Sequence, residues 1–156
     1  MSNEPFHIEY DDSGLKQLLK DADAGILAGA VNGVKIASIA LIGMMMRKAP
    51  IMTGLLRSSG SVWWNGKPVF KSPKQTKEKV EHPSSVPSTD ALDVTFGFNT
   101  PYAAYQDTRR DLHHPLGGQA GYFTDTLQGA SKLIEKFVVA EIKKALKAKL
   151  GRDFSV

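Results

Sequence analysis

The sequence has 156 residues, of which 42% are hydrophobic and 23% charged, a composition that suits one soluble domain with enough apolar side chains for a core. It contains no cysteine, which excludes a disulfide framework, a thiolate zinc site and a thiol nucleophile. Twenty Lys and Arg against sixteen Asp and Glu leave a net charge of +4, which permits an anionic partner without requiring one. We expect a single domain over residues 1–156.

A long helix is predicted for the first third of the chain. Apolar residues recur at steps of three and four from Asp12 or Ser13, the candidate N-caps, to Lys48. Residues 1–12 are then an N-terminal arm. Pro50 ends the helix, because the residue before a proline avoids the α region. Three glycines spaced four apart predict a close crossing with another helix: Gly25, Gly29 and Gly33.

Residues 24–46 of this helix are long enough to cross a membrane. Asn32 and Lys35 lie near the centre of the segment, where a charge is costly, and no aromatic belt flanks it. The acidic N-terminal sequence lacks the pattern of a secretory signal. We interpret the segment as a helix buried in a soluble assembly and expect no membrane partner.

The middle of the chain predicts a small antiparallel sheet. A strand is expected from Leu55 to Trp64, after the turn signal Thr53–Gly54 and before the turn dipeptide Asn65–Gly66. Residues 67–90 are rich in Pro, Ser and Lys without periodicity, which is typical of a long flexible loop. Residues 91–99 alternate apolar and polar side chains, which predicts a half-buried strand.

The last third predicts a short helical turn at residues 102–105, a polar loop over 106–121 and a long helix from Tyr122 to Leu150. Thr124 is the candidate cap of this helix, and Gly151 ends it, leaving residues 151–156 as a tail. The predicted fold class is therefore α+β: a long N-terminal helix, a small antiparallel β-sheet with a long flexible loop, and a long C-terminal helix.

Few residues suggest catalysis. Asp107, Asp111, His113 and His114 form the one cluster with metal-ligating side chains, but adjacent histidines point apart and a polar loop explains them equally well. The serines at positions 58, 59 and 61 lack the context of a nucleophile elbow. We expect no enzyme, no metal and no cofactor.

Two sets of charged residues suggest contacts with other molecules. Non-specific phosphate contact is one interpretation of the lysines in the predicted loop, and solubility of the loop is the other: Lys67, Lys71, Lys74, Lys77 and Lys79. Residues 1–23 hold six acids against two bases, whereas residues 132–152 hold seven bases against two acids. These patches fit an intramolecular pair, subunits that meet head to tail, or solvated helix faces. The subunit reading makes Lys143, Lys144 and Lys147 interface candidates.

The order of motifs resembles a known family. Lys48-Ala49-Pro50 is followed by Ile51-Met52-Thr53-Gly54-Leu55-Leu56-Arg57-Ser58-Ser59, and after a strand come Thr100-Pro101-Tyr102-Ala103-Ala104-Tyr105-Gln106-Asp107-Thr108 and Tyr122-Phe123. This order resembles the neck and tail-component proteins of tailed bacteriophages, typified by the gene-10-like family of lambdoid phage HK 97. The resemblance covers roughly residues 15–148.

The resemblance implies a non-enzymatic subunit of the head–tail connector or a tail-completion protein. Such subunits form a ring, here expected to be six- or twelve-fold, around the channel through which DNA leaves. The implied neighbours are phage proteins on the portal side and on the tail-tube side, with DNA close by. The implied location is the neck of the virion, after assembly in the host cytoplasm.

Three residues of the two motifs are further interface candidates. Arg57 follows Leu56, so if Leu56 faces the core, Arg57 faces a groove or a neighbouring subunit. Tyr102 and Tyr105 are three apart and are expected on one side of a turn, covering the apolar face of the sheet. Core and turn chemistry alone also explains all three. The alternative function is a small basic accessory protein that binds nucleic acid or a membrane surface non-specifically.

Overall fold

The computed structural model of the chain describes residues 24–88 and 93–150. It confirms the α+β class, with a long first helix, a three-stranded antiparallel sheet and a long last helix. The elements in chain order are α1 (Ala24–Lys48), α2 (Leu55–Ser58), β1 (Gly60–Trp64), β2 (Lys67–Lys71), β3 (Val94–Phe98), α3 (Ala103–Thr108), α4 (Thr124–Gln128) and α5 (Ser131–Leu150). The predicted arm, the acidic residues of 1–23, the caps Asp12 and Ser13 and the tail 151–156 lie outside the described residues.

The first half of α1 packs against α5. A Cβ atom added at Gly29 would lie 2.8 Å from the carbonyl oxygen of Glu141, and one added at Gly33 would lie 2.5 Å from the Cα of Val138. The positions rise along α1 as they fall along α5, so the two helices run antiparallel. This contact confirms the close helix crossing predicted from the glycine spacing, because no side chain fits between the two backbones at these positions.

The second half of α1 covers one face of the sheet. Leu41, Ile42 and Met45 are buried in one core with Val62 of β1 and Phe96 of β3. Tyr122 and Phe123 complete this core: the rings of Phe98 and Tyr122 are 5.3 Å apart and edge-on, and those of Phe96 and Phe123 are 5.8 Å apart. Aromatic packing of this kind adds to the apolar burial that holds helix and sheet together.

The sheet has the strand order β2-β1-β3. Asn65 and Gly66, at φ 47° and 75°, form the turn between β1 and β2, as the sequence predicts. The flexible loop predicted for residues 67–90 is wrong for Lys67–Lys71, which form β2. The turn brings these residues back against β1. Pro68, which has no backbone N–H to donate, is tolerated because β2 is an edge strand of the described three-stranded sheet.

Residues 72–88 have no regular structure, as predicted, but they lie across the second face of the sheet. The Trp63 indole N–H donates to the Pro83 carbonyl at 3.1 Å, the side-chain amide of Asn99 donates to the Glu81 carbonyl at 2.9 Å, and Val86 is buried. Thr95 on this face is therefore buried as well. The prediction of a half-buried β3 is wrong, because alternation in the strand does not reveal the segment that covers its polar face.

Three predicted boundaries also change. The strand predicted from Leu55 begins only at Gly60, because residues 55–58 form α2. Gly54 starts that turn at φ 82°, and the Ser58 hydroxyl donates back to the Gly54 carbonyl at 2.8 Å. The helix predicted from Tyr122 is divided into α4 and α5 at Gly129 and Ala130, and α3 takes residues 106–108 from the predicted loop.

Candidate functional site

An open apolar groove lies beside the connection between α1 and α2. We call it the connection groove; its volume is about 580 Å³. One wall is residues 50–56, the other is residues 112–116, and Glu78, Tyr102 and Gln106 also line it. Met52 is 85% exposed and Leu116 is 64% exposed at this groove. Large apolar side chains that are this exposed at one groove are typical of a surface that binds a ligand or another protein.

The first wall is fixed by Arg57. Its guanidinium donates to the carbonyl of Ala49 at 3.0 Å and to the carbonyl of Arg47 at 2.9 Å. These are carbonyls at the end of α1, which have no partner within the helix. Burial lowers the pKa of Arg57. Leu56 faces the core as expected, and Arg57 holds the connection in place from half-buried α2; an interface role for Arg57 stays a prediction.

The second wall is attached to the first through backbone hydrogen bonds. The Ile51 N–H donates to the Gly117 carbonyl at 3.0 Å, and the Gln119 N–H donates to the Lys48 carbonyl at 2.9 Å. Both walls therefore keep a fixed spacing, and the groove is a feature of the folded chain and not of a single side-chain rotamer.

Asp107 has a structural role that the sequence analysis missed. Its buried carboxylate accepts hydrogen bonds from the backbone N–H groups of Phe123 at 2.8 Å and Thr124 at 3.3 Å, and from the Thr124 hydroxyl. These donors lie at the start of α4, so Asp107 caps that helix from α3. Asp107 falls in the predicted polar loop, and its partner Phe123 is sixteen residues away, so no local pattern indicates this contact.

The other members of the predicted metal-ligand cluster, Asp111, His113 and His114, do not form a metal site with Asp107. Asp111 is paired with Arg109, whose guanidinium donates to both carboxylate oxygens at 2.7 and 2.6 Å; this pair lowers the pKa of Asp111 to about 2. His113 and His114 line the connection groove. Within residues 24–88 and 93–150, no group of three or more His, Cys, Asp or Glu could hold a metal ion.

The two motif tyrosines do not cover the sheet, which corrects that expectation. Tyr102 is 38% exposed and lines the connection groove, where burial and the nearby Glu78 raise its pKa. Tyr105 is 49% exposed, with the Arg109 guanidinium 5.2 Å from its ring centre. Tyr122 and Phe123 cover the sheet in their place. Two contacts hold the start of α4 against the sheet: the hydrogen bond from the Phe123 N–H to the Asp107 carboxylate, and the hydrogen bond from the Tyr122 hydroxyl to the Ala103 carbonyl.

The lysines of the predicted loop are all exposed. Lys67 and Lys71 lie at the two ends of β2, and Lys74, Lys77 and Lys79 follow on the segment that crosses the sheet. Lys79 is paired with Glu81 at 2.8 Å. The five thus lie on the edge strand β2 and on the segment that follows it, a placement compatible with phosphate contact and with simple solvation.

Of the basic candidates on α5, Lys144 and Lys147 are exposed and Lys143 is half-buried. The exposed Lys144 ammonium lies 3.8 Å from the carboxylate of Glu141, whose side chain is mostly buried. They lie near the start of α1, because Ala145 of α5 packs against Gly29. The acidic residues predicted to meet them are outside the described part of the chain, so this pairing stays a prediction.

A serine–histidine pair lies under the segment that crosses the sheet. The Ser61 hydroxyl and the His82 Nδ1 are 2.6 Å apart, and burial together with the nearby charge of Lys71 lowers the pKa of His82. Ser61 is fully buried between its strand neighbours, so its oxygen is not open to a substrate. We assign the pair to holding residues 72–88 in place.

In the part of the chain that the structure describes, one helix is long and apolar enough to cross a membrane by length and composition, namely Gly25–Lys48 of α1. The core helices of soluble proteins pass the same test, and α1 is packed along α5, which carries six lysines. A bilayer around α1 would have to accept these charges as well, at a large cost.

Comparison of the chain with protein-family models, with curated proteins and with solved structures gives no match.

Proposed function

We propose that the chain is a non-enzymatic structural subunit of the head–tail connector of a tailed phage, a neck or tail-completion protein. The observation that carries the proposal is the meeting of the two motifs at one surface. Residues 50–56 form a wall of the connection groove, and Tyr102 of the second motif lines the same groove, although the motifs are about fifty residues apart.

A ring needs two different patches, one of which meets the other on the next subunit. The connection groove is a suitable first patch, because Met52 and Leu116 expose apolar area that association would bury. The second patch is expected at the opposite end of the α1–α5 pair, where the basic end of α5 lies beside the point at which residues 1–23 join α1. Apolar burial then supplies most of the affinity, and the charges guide orientation.

The exposed lysines suit the expected surroundings of the ring. A subunit around a DNA channel needs weak, sequence-independent attraction to phosphate, which exposed lysines supply and salt screens. We place the protein in the neck of the virion, in a six- or twelve-fold ring between portal-side and tail-tube-side proteins, after assembly in the host cytoplasm.

Electron microscopy of the negatively stained, purified protein tests the proposal. We expect closed rings with a central opening, and we expect Leu116→Asp to abolish them by placing a charge in the connection groove. Val69→Asp is the matched control, because Val69 is 42% exposed on β2, away from the groove. Loss of rings in the control but not in the groove variant would contradict the proposal.

The second candidate is a small basic accessory protein that binds nucleic acid or an anionic membrane surface non-specifically. The exposure of all five lysines on and after β2 favours it. It predicts a monomer whose binding to duplex DNA or anionic vesicles disappears when the five lysines are changed to Gln. The connector proposal predicts that the same variant still forms rings.

A further inference from the structure

The connection groove is open in a single copy of the chain. The composition and the reach of the segments outside the described residues indicate what fills it. We propose that residues Phe6–Tyr10 of a second copy of this chain dock in the connection groove. The inference rests on the proposed function, because it needs the chain to associate with itself, and it names the contact that joins the copies.

The sequence of the arm fits the groove. Phe6, Ile8 and Tyr10 alternate with His7 and Glu9. In an extended backbone, alternate side chains point to one side, so this spacing suits a segment that docks through one apolar edge. The groove offers about 580 Å³ lined by the largely apolar residues 50–56 and 112–116. Such a volume accepts large apolar side chains from a docked segment.

The reach of the arm favours a groove on another copy. The arm joins the described chain at Ala24, the start of α1, whereas the groove lies past its other end at Pro50. The helix has 25 residues, so about 37 Å separate the two ends. Residues 11–23 span at most about 45 Å when fully extended. Docking in the groove of the same copy would therefore need residues 11–23 to be almost fully extended. The sequence of residues 13–23 favours a helix instead, and a helix of this length is much shorter than an extended chain.

The C-terminal tail is a poorer occupant. Its six residues, 151–156, extend at most about 20 Å from the end of α5. That end lies beside the start of α1, because Ala145 packs against Gly29, so the tail cannot reach the groove of its own copy. Phe154 is the only aromatic residue in the tail, whereas the arm offers three large apolar side chains at a regular spacing.

Disulfide trapping in the full-length chain tests the proposal, and the absence of native cysteine makes it clean. Ile8→Cys is combined with Leu116→Cys in the groove, or with Val69→Cys on β2 as the control. Val69 is a suitable control site because it is exposed, as Leu116 is. After mild oxidation, we expect the groove pair to give at least tenfold more linked dimers and larger species on a non-reducing gel. Equal yields from the two pairs would overturn the proposal, as would a link confined to single chains.

A mixing experiment gives a second readout that does not depend on oxidation. Phe6→Ser with Ile8→Ser removes the arm contact, and Leu116→Asp blocks the groove. Each variant alone should be a monomer, with self-association weakened more than tenfold. The mixture should give dimers only, since one intact arm meets one intact groove. Variants that assemble like the unmodified chain, or a mixture that stays monomeric, would overturn the proposal.

The outcomes separate this inference from the proposed function. Rings of the unmodified chain without trapping between arm and groove overturn the inference and leave the proposed function standing. A chain that shows neither rings nor trapped species contradicts both. Trapping between copies through Phe154→Cys and Leu116→Cys, with none through Ile8→Cys, would identify the tail as the occupant and overturn the assignment to the arm.

Discussion

The packing of α1 against α5 can be tested with two glycines of the same helix. At Gly33, an added Cβ would lie 2.5 Å from the Cα of Val138 and 2.9 Å from the carbonyl oxygen of Phe137, both backbone atoms. At Gly43, the nearest atom is the Arg47 side chain at 4.0 Å. Gly33→Ala and Gly43→Ala thus make the same chemical change in one helix, once against a backbone and once in open space.

The two variants should change stability in opposite directions. Replacing a helical glycine by alanine contributes about 1 kcal/mol of helix propensity at either site. At Gly33 the clash forces the helices apart, and overpacking of this kind costs about 3 kcal/mol at the upper end of its usual range. The expected net effect is a loss of about 2 kcal/mol for Gly33→Ala and a gain of about 1 kcal/mol for Gly43→Ala.

Thermal unfolding followed by circular dichroism measures both effects. For a domain of this size, 1 kcal/mol corresponds to about 2–4 °C in the unfolding midpoint. We therefore expect Gly33→Ala to lower the midpoint by about 4–8 °C and Gly43→Ala to raise it by about 2–4 °C. If Gly33→Ala raised the midpoint as much as Gly43→Ala does, the close approach of α1 and α5 would be refuted.

Three further predictions concern Asp107, His82 and the binding of DNA. Asp107→Ala should lower the free energy of unfolding by about 3 kcal/mol, because it leaves buried N–H groups at the start of α4 without an acceptor. Asp107→Asn keeps one acceptor oxygen and should lower the free energy of unfolding clearly less. Equal losses for the two variants in urea unfolding would contradict the capping role. The pKa of His82 is lowered in the folded state, so the unfolded state binds more protons and stability should fall as the pH drops below about 6.5. His82→Gln should remove that fall, and an unchanged pH profile in urea titrations would contradict it. Binding of duplex DNA should weaken steeply with added salt and show no sequence preference in fluorescence anisotropy, whereas a sequence-dependent site at physiological salt would contradict the connector proposal.

Features set by local patterns were predictable from the sequence. The period of the apolar residues located α1, the glycine spacing indicated its close contact, and Asn65–Gly66 located the hairpin turn. Each of these signals acts within a few residues, where dihedral preferences and side-chain direction decide the outcome.

Features set by distant partners were not predictable. Lys67–Lys71 form a strand only because β1 is beside them, and residues 72–88 lie on the sheet through side chains of Trp63, Ser61 and Asn99. Asp107 was a candidate ligand from its neighbours in sequence, whereas its hydrogen-bond partners come from Phe123 and Thr124. The connection groove likewise joins two walls about sixty residues apart, which no local pattern indicates.

The proposed function requires the chain to assemble into a closed ring, and mass photometry of the purified, unmodified chain measures this assembly. The subunit mass is 17.0 kDa, so a six-fold ring and a twelve-fold ring give well-separated masses. We predict one discrete species at six or twelve times the subunit mass, which disappears in Leu116→Asp and persists in Val69→Asp. A chain that remains a monomer at every concentration, or that grows into a continuous series of sizes without a closed species, would show that it does not form a closed ring.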